Sequence, residues 1–266
     1  MIQTQYLEWT SYSGRGPGAQ RRVLRQDPGS GAETFILRLP AGYALGDPAL
    51  LENDTELFVL HGELEINAQI YHRDCYAVHP AGYAHNSFTS SKGATLVVIT
   101  TGGPDVLYRG KAKIQFRRER LVERVDAWML DWSVGLPMVA YGALPRPASP
   151  PTGTPALPPF AFSKLLWEDP DTKARSFLVA AAPRLTRAPS SSATVDEEVF
   201  VLQGDYSFSA GPLTAGGYAY QRAGADPGGI ASEAGCYAFH KLHGPSSSSP
   251  PIGLSTKALP LPDWWD

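Results

Sequence analysis

The sequence predicts an all-β fold made of two barrels in tandem, with a single helix connecting them. Three observations lead to this prediction: a repeat at constant spacing, short runs of strand-forming residues, and a composition rich in turn formers. The chain has 266 residues, of which 26 are glycine and 24 are proline. This composition favours short strands and tight turns over long helices. The length also leaves room for two domains of ordinary size.

The repeat has a constant offset of 142 residues. The segment Glu56–Gly62 (ELFVLHG) matches Glu198–Gly204 (EVFVLQG), which begins 142 positions later. The same offset relates further pairs, namely Asp27-Pro28 with Asp169-Pro170, Phe35 with Phe177, Tyr76-Ala77 with Tyr218-Ala219, Ala81-Gly82 with Ala223-Gly224, and Gly93 with Gly235. Because one spacing fits every pair without a gap, we interpret the chain as one structural unit used twice.

Within each copy, β-branched, aromatic and leucine residues form short runs separated by Gly, Pro, Asp or Asn. In the first copy these runs are Thr34–Leu39, Glu56–Leu60, Leu64–Ile66, Tyr76–His79 and Ala94–Thr100. In the second copy they are Ser176–Ala180, Val199–Gln203, Tyr206–Phe208, Tyr218–Gln221 and Cys236–His240. Strands this short and this regularly spaced predict a closed barrel or a sandwich.

Two segments between the copies have a different pattern. In Arg118–Met129, the apolar residues Leu121, Val125 and Trp128 recur at helical spacing, which predicts an amphipathic helix. Seven of the fifteen residues from Pro145 to Pro159 are proline, which predicts an extended linker. The predicted division is therefore a first domain with its helix, a linker and a second domain, at residues 1–144, 145–159 and 160–266.

Charge and cysteine content exclude several classes of protein. The 23 basic and 26 acidic residues give a net charge of −3, so we expect neither a nucleic-acid nor a membrane partner. No apolar run approaches the roughly 18 residues of a membrane helix, and the first residues do not resemble a signal peptide. We therefore expect a cytoplasmic protein. Two cysteines cannot form a disulfide scaffold, and Cys75 and Cys236 are expected to be buried free thiols.

Two segments of the first copy resemble the sequence motifs of the cupin family. Glu56–Leu64 resembles the strand and hairpin that close the first motif, and Asp74–His85 resembles the second motif, which has Pro-x-Gly before a histidine. Leu24–Pro40 is similar to the corresponding strand of ChrR-like cupins. The resemblance implies two tandem cupin barrels of the double-stranded β-helix, or jelly-roll, type. It implies no single function, because cupins include dioxygenases, isomerases, decarboxylases, storage proteins and sensors.

The resemblance also implies a metal site, of which this sequence keeps little. Cupins bind a divalent ion through two histidines and a glutamate of the first motif and the histidine of the second, a set that suits Fe, Mn, Ni or Zn. Only His85 matches such a ligand. The other ligand positions of the first copy hold Ala49 and Leu51, or Pro48 and Leu50, and Thr55. In the second copy Glu197 keeps the glutamate position, while the histidine positions hold Ser191, Ala193 and Pro227, so no metal is expected there.

Strand alternation assigns the interior of the first barrel. Side chains two positions apart share a face, so Thr55, Leu57, Val59 and His61 are predicted to point inward. Together with Tyr83 they would form a ligand-binding pocket in which His61 and His85 are the polar groups. Glu52 could reach inward from a loop. The predicted catalytic residues are accordingly His85, His61 and Glu52.

A metal in the first barrel would have to use His85 with Glu52 or His61. The simpler interpretation has no metal: His85 is hydrogen-bonded to a neighbour, and residues 52–56 form a solvated loop. His72 is expected to be exposed, and His79 to lie at the barrel mouth or face outward. His240 and His243 have no acidic residue at useful sequence spacing and are interpreted as ordinary surface or strand residues.

Three functions remain open from the sequence. The first is a divergent two-barrel cupin that binds a small organic molecule in the N-terminal barrel and transforms it by metal-free acid–base chemistry of isomerase, cyclase or lyase type. The second is a metal-dependent, dioxygenase-like cupin with an altered ligand set. The third is a non-catalytic ligand sensor or a structural dimerisation module. The expected partners are a small molecule and, in a homodimer, a second copy of the chain.

Overall fold

The computed structural model describes residues 1–103, 107–108, 114–134, 161–187, 195–208, 211–225, 230–244 and 253–254. Across these ranges the regular structure consists of β-strands and single turns of 3-10 helix. Their contacts divide the described residues into two units, one containing Thr4–Met129 and the other containing Met1–Gln3 and the described residues from Leu130 to Leu254.

The N-terminal unit contains strands β2 to β14. They are β2 (Thr10–Ser11), β3 (Gln20–Gln26), β4 (Glu33–Leu39), β5 (Tyr43–Ala44), β6 (Ala49–Leu51), β7 (Thr55–Ile66), β8 (Gln69–His72), β9 (Cys75–His79), β10 (Ala84–His85), β11 (Phe88–Ser90), β12 (Ala94–Thr100), β13 (Leu107–Tyr108) and β14 (Val122–Asp126). The 3-10 turns are Thr4–Tyr6, Ser13–Arg15, Arg118–Arg120 and Ala127–Met129. The main sheet has the order β14-β9-β7-β12-β4-β3-β2, and a smaller sheet has the order β10-β6-β13.

The C-terminal unit contains β1 and β15 to β24. They are β1 (Ile2–Gln3), β15 (Trp132–Val134), β16 (Ala161–Glu168), β17 (Arg175–Ala181), β18 (Leu185–Arg187), β19 (Glu197–Phe208), β20 (Gly211–Thr214), β21 (Gly217–Gln221), β22 (Ile230–Ser232), β23 (Cys236–Leu242) and β24 (Gly253–Leu254). The main path is β1-β21-β19-β23-β17-β16-β15-β24. Strand β1 pairs with β21, where Ile2 lies opposite Tyr218.

The predicted repeat is confirmed at the level of individual hydrogen bonds. The Tyr76 hydroxyl donates to Glu56 at 2.7 Å, and 142 residues later the Tyr218 hydroxyl donates to Glu198 at 2.6 Å. Other pairs repeat in the main chain: Asp74 N to Val59 O with Gly216 N to Val201 O, and Glu63 N to Gly93 O with Asp205 N to Gly235 O. A shared sequence register therefore corresponds to a shared hydrogen-bond pattern.

All ten predicted strands lie within observed strands, although two pairs of them are continuous. Glu56–Leu60 and Leu64–Ile66 are parts of the single strand β7, which passes through Gly62 with φ +77°. A Cβ atom at Gly62 would lie 2.1 Å from the carbonyl oxygen of Gly93. Glycine is required here both by the left-handed backbone and by the close approach of β12.

The predicted helix over Arg118–Met129 is wrong. The segment forms a 3-10 turn, strand β14 and a second 3-10 turn. Strand β14 pairs with β9, with Val125 opposite Tyr76 and Asp126 opposite Cys75. The physical reason is that β9 would otherwise be an open sheet edge, and pairing satisfies the backbone groups of both strands.

The observed division falls between Met129 and Leu130, whereas the sequence placed the boundary after residue 144. The predicted linker, residues 145–159, lies outside the described residues.

No helix among the described residues has the length and apolar character needed to cross a bilayer.

We predict that Gly62→Ala destabilises the N-terminal unit far more than Gly42→Ala does. Both glycines have nearly the same positive φ, +77° and +74°, but the space around Gly42 is open. The backbone conformation alone costs about 1 kcal/mol in Gly42→Ala, and the clash with Gly93 should raise the cost in Gly62→Ala to at least about 3 kcal/mol. Urea unfolding measures both values, and equal losses would contradict the close approach.

Candidate functional site

A chain of three polar side chains lies in the interior of the first barrel. Arg15 comes from the 3-10 turn Ser13–Arg15, His79 ends β9, and His85 ends β10; all three residues are completely buried. Nη1 of Arg15 lies 3.0 Å from Nδ1 of His85. Nε2 of His85 lies 3.1 Å from Nδ1 of His79. The predicted hydrogen-bonded His85 is thus observed, with partners on both sides.

This arrangement determines where the imidazole protons are. A guanidinium can only donate, so Nδ1 of His85 must accept and its proton must be on Nε2. That N–H donates to Nδ1 of His79, which leaves the proton of His79 on Nε2. Both rings are therefore neutral.

The pKa values agree with neutral rings. Burial lowers the pKa of His79 to about 3, and the positive charge of Arg15 adds to this effect. Burial also holds the pKa of His85 well below its usual range, followed in importance by Arg15 and then by His79. Nε2 of His79 makes no hydrogen bond of ordinary geometry within the described residues. A weaker interaction with the main chain of Glu123 raises the pKa of the ring slightly, against the larger effect of burial.

Aromatic rings enclose the chain of polar groups. Phe88 stacks on His85 with a centroid distance of 5.3 Å, and the Arg15 guanidinium lies 4.6 Å from the same phenyl ring. Tyr83 stacks on His79 at 4.5 Å. The hydroxyl of Tyr43 donates to the main-chain carbonyl of Arg15, which anchors the 3-10 turn against the barrel.

The interior of the first barrel does not fit a divalent ion at the position that the cupin motifs imply. Ala49, Leu51 and Thr55, which stand at the other ligand positions, are all buried and offer at most one hydroxyl. Both ring nitrogens of His85 are already hydrogen-bonded. The guanidinium of Arg15 also places a positive charge next to the single remaining ligand.

Two of the three predicted catalytic residues lie outside this interior. His61 is exposed, so its predicted inward orientation is wrong. The cause is a β-bulge: Val59 pairs with Leu96 and His61 with Thr95, so Leu60 is an extra residue that reverses the alternation. Glu52 is also exposed, and the predicted metal pair of His85 and Glu52 is therefore not brought together.

The predicted pocket residues of β7 are buried but serve as core. Leu57 and Val59 pack in one apolar cluster with Phe35 and Phe88. The Thr55 hydroxyl donates to the carbonyl of Asn53 at 3.2 Å. Tyr83, the remaining predicted ligand contact, is only partly buried.

Tyr83 lines an open cleft of about 370 Å³. Its lining residues are Asn67, Gly82, Tyr83, Ala84, Asn86, Phe116, Arg118, Leu121 and Glu123. The Tyr83 ring therefore contacts the cleft as well as His79, and its centroid is 6.2 Å from that of Phe116. The Tyr83 ring therefore separates this cleft from the buried His79.

The second barrel contains a buried histidine–carboxylate pair. His240 Nδ1 lies 2.8 Å from Glu197 Oε1, and His240 stacks on Phe177. His243 Nε2 lies 2.6 Å from Glu198 Oε1. The interpretation of His240 and His243 as residues without acidic partners is wrong, because strand pairing between β19 and β23 supplies partners distant in sequence. Ser191, Ala193 and Pro227 lie outside the described residues.

A third polar cluster lies where β8 turns into β9. His72, Cys75 and Asp126 each offer one possible ligand atom, and these three atoms lie within 4.8 Å of one another. They are a set that could hold a metal ion. Cys75 and Cys236 are both free and buried, as predicted. Burial raises the pKa of the Cys75 thiol, although hydrogen bonding from Arg124 opposes the shift.

Sequence reasoning missed Arg15 and undervalued His79. Arg15 precedes the repeated region and has no counterpart by offset, so no pattern marks it. His79 does carry a signal, since it lies one position before the Pro-x-Gly of the second motif and is two residues from Ala77 on the inward face of β9.

We predict that the two buried histidines make the protein acid-sensitive. Because their folded-state pKa values are depressed, the unfolded chain binds protons first as the pH falls below about 6.5. Stability present above that pH is then lost as the pH falls, and His79 alone accounts for about 2 kcal/mol between about pH 7 and about pH 5. Urea unfolding should show a smaller loss in His79→Gln, whereas His61→Gln should keep the wild-type dependence. An unchanged pH dependence in His79→Gln would contradict the assignment.

Comparison with known proteins identifies the fold. Residues 1–103 match the family model described as the ChrR Cupin-like domain. No curated protein matches the sequence. A candidate dioxygenase from Nostoc punctiforme has a similar structure, with a TM-score of 0.75 at 18% identity over 96% of this chain and 86% of the other.

Two-barrel proteins of other functions are also similar. An oxalate decarboxylase from Bacillus subtilis has a TM-score of 0.56 at 10% identity, over 95% of this chain and 78% of that one. A vicilin from hazelnut, Corylus avellana, has a TM-score of 0.54 at 10% identity, over 92% and 85%. At such identities the similarity shows a shared fold only. With the family match over residues 1–103 and the repeated β architecture, it shows a cupin fold with two barrels in tandem.

Proposed function

We propose that the N-terminal barrel binds a small polar organic molecule in the cleft beside Tyr83, and that it does so without a metal ion at His85. The observation that carries the proposal is the cleft itself, about 370 Å³ in volume, with the Tyr83 ring stacked on a neutral His79. This volume lies in the range of about 300–1,000 Å³ that is usual for small-molecule sites.

The lining of the cleft indicates the kind of ligand. Tyr83 and Phe116 supply ring faces, on which a flat group can stack. Arg118 and Glu123 supply one charge of each sign. Asn86 supplies an exposed side-chain amide, which can both donate and accept hydrogen bonds. A compact molecule with a flat face and both donor and acceptor groups suits this combination.

The loops that form the cleft are held in place before any ligand binds. The Asn67 side chain accepts hydrogen bonds from the main-chain amides of Asn86 and Ser87, at 2.7 and 3.2 Å. Its amide group donates to the carbonyl of Ala84 at 2.6 Å. Such preorganisation reduces the ordering cost of binding.

Binding is better supported than acid–base catalysis. His85 could exchange a proton with a ligand only after it lost its hydrogen bond to Arg15 or to His79, since these occupy both ring nitrogens. His61 and Glu52, the other predicted catalytic residues, are not among the residues that line the cleft. A protein that binds its ligand without turnover would act as a sensor, one of the functions left open by the sequence.

A metal-dependent dioxygenase reaction is not part of the proposal. The Nostoc punctiforme protein is similar in fold, but at 18% identity this similarity does not extend to chemistry. In this chain the Arg15 guanidinium lies beside His85, the one matching ligand, and divalent ions are repelled by a fixed positive charge at such a distance.

We predict that Tyr83→Ala weakens ligand binding at least tenfold, because it removes the stacking surface of the cleft. A panel of small heteroaromatic amides and carboxylates is screened by thermal shift, since a ligand at about 100 times its Kd stabilises the native state by about 2.7 kcal/mol. The Kd of each stabilising compound is then measured by calorimetry for the wild type and for Tyr83→Ala.

The matched control is Tyr6→Ala, which removes an exposed tyrosine that does not line the cleft. It should leave the affinity unchanged. A ligand that binds Tyr83→Ala as tightly as the wild type would contradict the proposed site, as would a screen in which no compound stabilises the protein.

A further inference from the structure

We propose that His72, Cys75 and Asp126 form a zinc site at the turn between β8 and β9. The site lies at a different place in the barrel from His85, the position at which the cupin motifs would put a metal. It uses none of the residues that line the Tyr83 cleft, so the two proposals stand or fall separately.

Backbone pairing brings the three residues together. Strand β8 ends at His72 and β9 begins at Cys75, so a two-residue turn connects them, with Asp74 at φ +64°. Asp126 lies directly opposite Cys75 in the pairing of β14 with β9. The positions of all three ligands are therefore determined by the sheet, which favours a built site over a chance meeting of surface side chains.

The distances suit a tetrahedral ion. Zinc bonds of about 2.0–2.3 Å require ligand atoms about 3.3–3.8 Å apart. Nε2 of His72 lies 3.2 Å from Oδ2 of Asp126, and all three ligand atoms lie within 4.8 Å of one another. Small side-chain rotations would therefore close the site around an ion.

Outer contacts prepare His72 and Asp126 for one bond each to a metal. Nδ1 of His72 lies 3.0 Å from the carbonyl of Arg73, so its proton is on Nδ1 and the lone pair is on Nε2. The main-chain amide of Trp128 donates to Oδ1 of Asp126, which leaves Oδ2 directed to the cluster. A histidine that donates its second N–H to a carbonyl is the usual arrangement at protein metal sites.

A cation already lies at this point. Nη2 of Arg124 is 3.2 Å from Nε2 of His72 and 3.1 Å from Oδ2 of Asp126, and its guanidinium also hydrogen-bonds Cys75. The Arg124 side chain is 32% exposed, so it can move into solvent. Zinc would take its place, and the Cys75 thiol would release its proton to solvent as the Zn–S bond forms.

The ligand set selects the metal. One sulfur, one nitrogen and one carboxylate oxygen suit zinc, whereas magnesium and calcium prefer oxygen ligands alone. Three protein ligands leave a fourth tetrahedral position for water.

The test uses the full-length protein, stripped of metal under reducing conditions and titrated with Zn²⁺ against a chromophoric chelator. One equivalent per chain is expected. Each of the variants His72→Gln, Cys75→Ser and Asp126→Asn should lower the affinity at least tenfold. Co²⁺ titrated into the wild type should give a thiolate-to-cobalt charge-transfer band, which Cys75→Ser should lose.

Three controls sharpen the result. His61→Gln and Cys236→Ser, which change an exposed histidine and the other buried thiol, should keep the wild-type affinity. Arg124→Gln should bind zinc at least threefold more tightly, because the competing cation is gone. Absence of the cobalt–thiolate band in the wild type would overturn the site without any variant. Unchanged affinity in the conservative Asp126→Asn variant, with a wild-type circular dichroism spectrum, would overturn the ligand assignment.

Discussion

The buried guanidinium of Arg15 determines the chemistry of the first barrel. As an obligate donor it sets the tautomer of His85, and through His85 that of His79. Its charge contributes to the depressed pKa values of both rings. The permanent positive charge of Arg15 thus lies beside His85, the one residue that matches a metal ligand of the cupin motifs. The residues at the other ligand positions of the motif, Ala49, Leu51 and Thr55, are equally unsuited to a divalent ion.

The repeat and the strands were predictable because their causes are local or periodic. A constant offset fits every matched pair, and the same hydrogen bonds recur at that offset, as Tyr76–Glu56 and Tyr218–Glu198 show. The helix over residues 118–129 failed for the opposite reason. Its apolar spacing is real, yet Trp128 and Met129 are 45% and 82% exposed, and the open edge of β9 decides the conformation instead.

The candidate site was predictable only where a motif marks it, as at His85. Arg15 reaches His85 across 70 positions of sequence, and no periodicity marks such a contact. The orientation of His61 was predicted wrongly because Leu60 is an extra residue in a β-bulge, and a single bulge exchanges the two faces of a strand. The partners of His240 and His243 depend on strand register, which a single sequence does not display.

The pairing of β1 with β21 makes the second unit discontinuous in sequence, because its edge strand comes from the start of the chain. Ile2 and Gln3 form an edge strand of the second unit, although they precede the whole of the first unit in the sequence. During synthesis this strand must wait for a partner more than 200 residues away, so the loop it closes is among the longest in the molecule. Cleavage between Met129 and Leu130 would release a C-terminal fragment without its own edge strand.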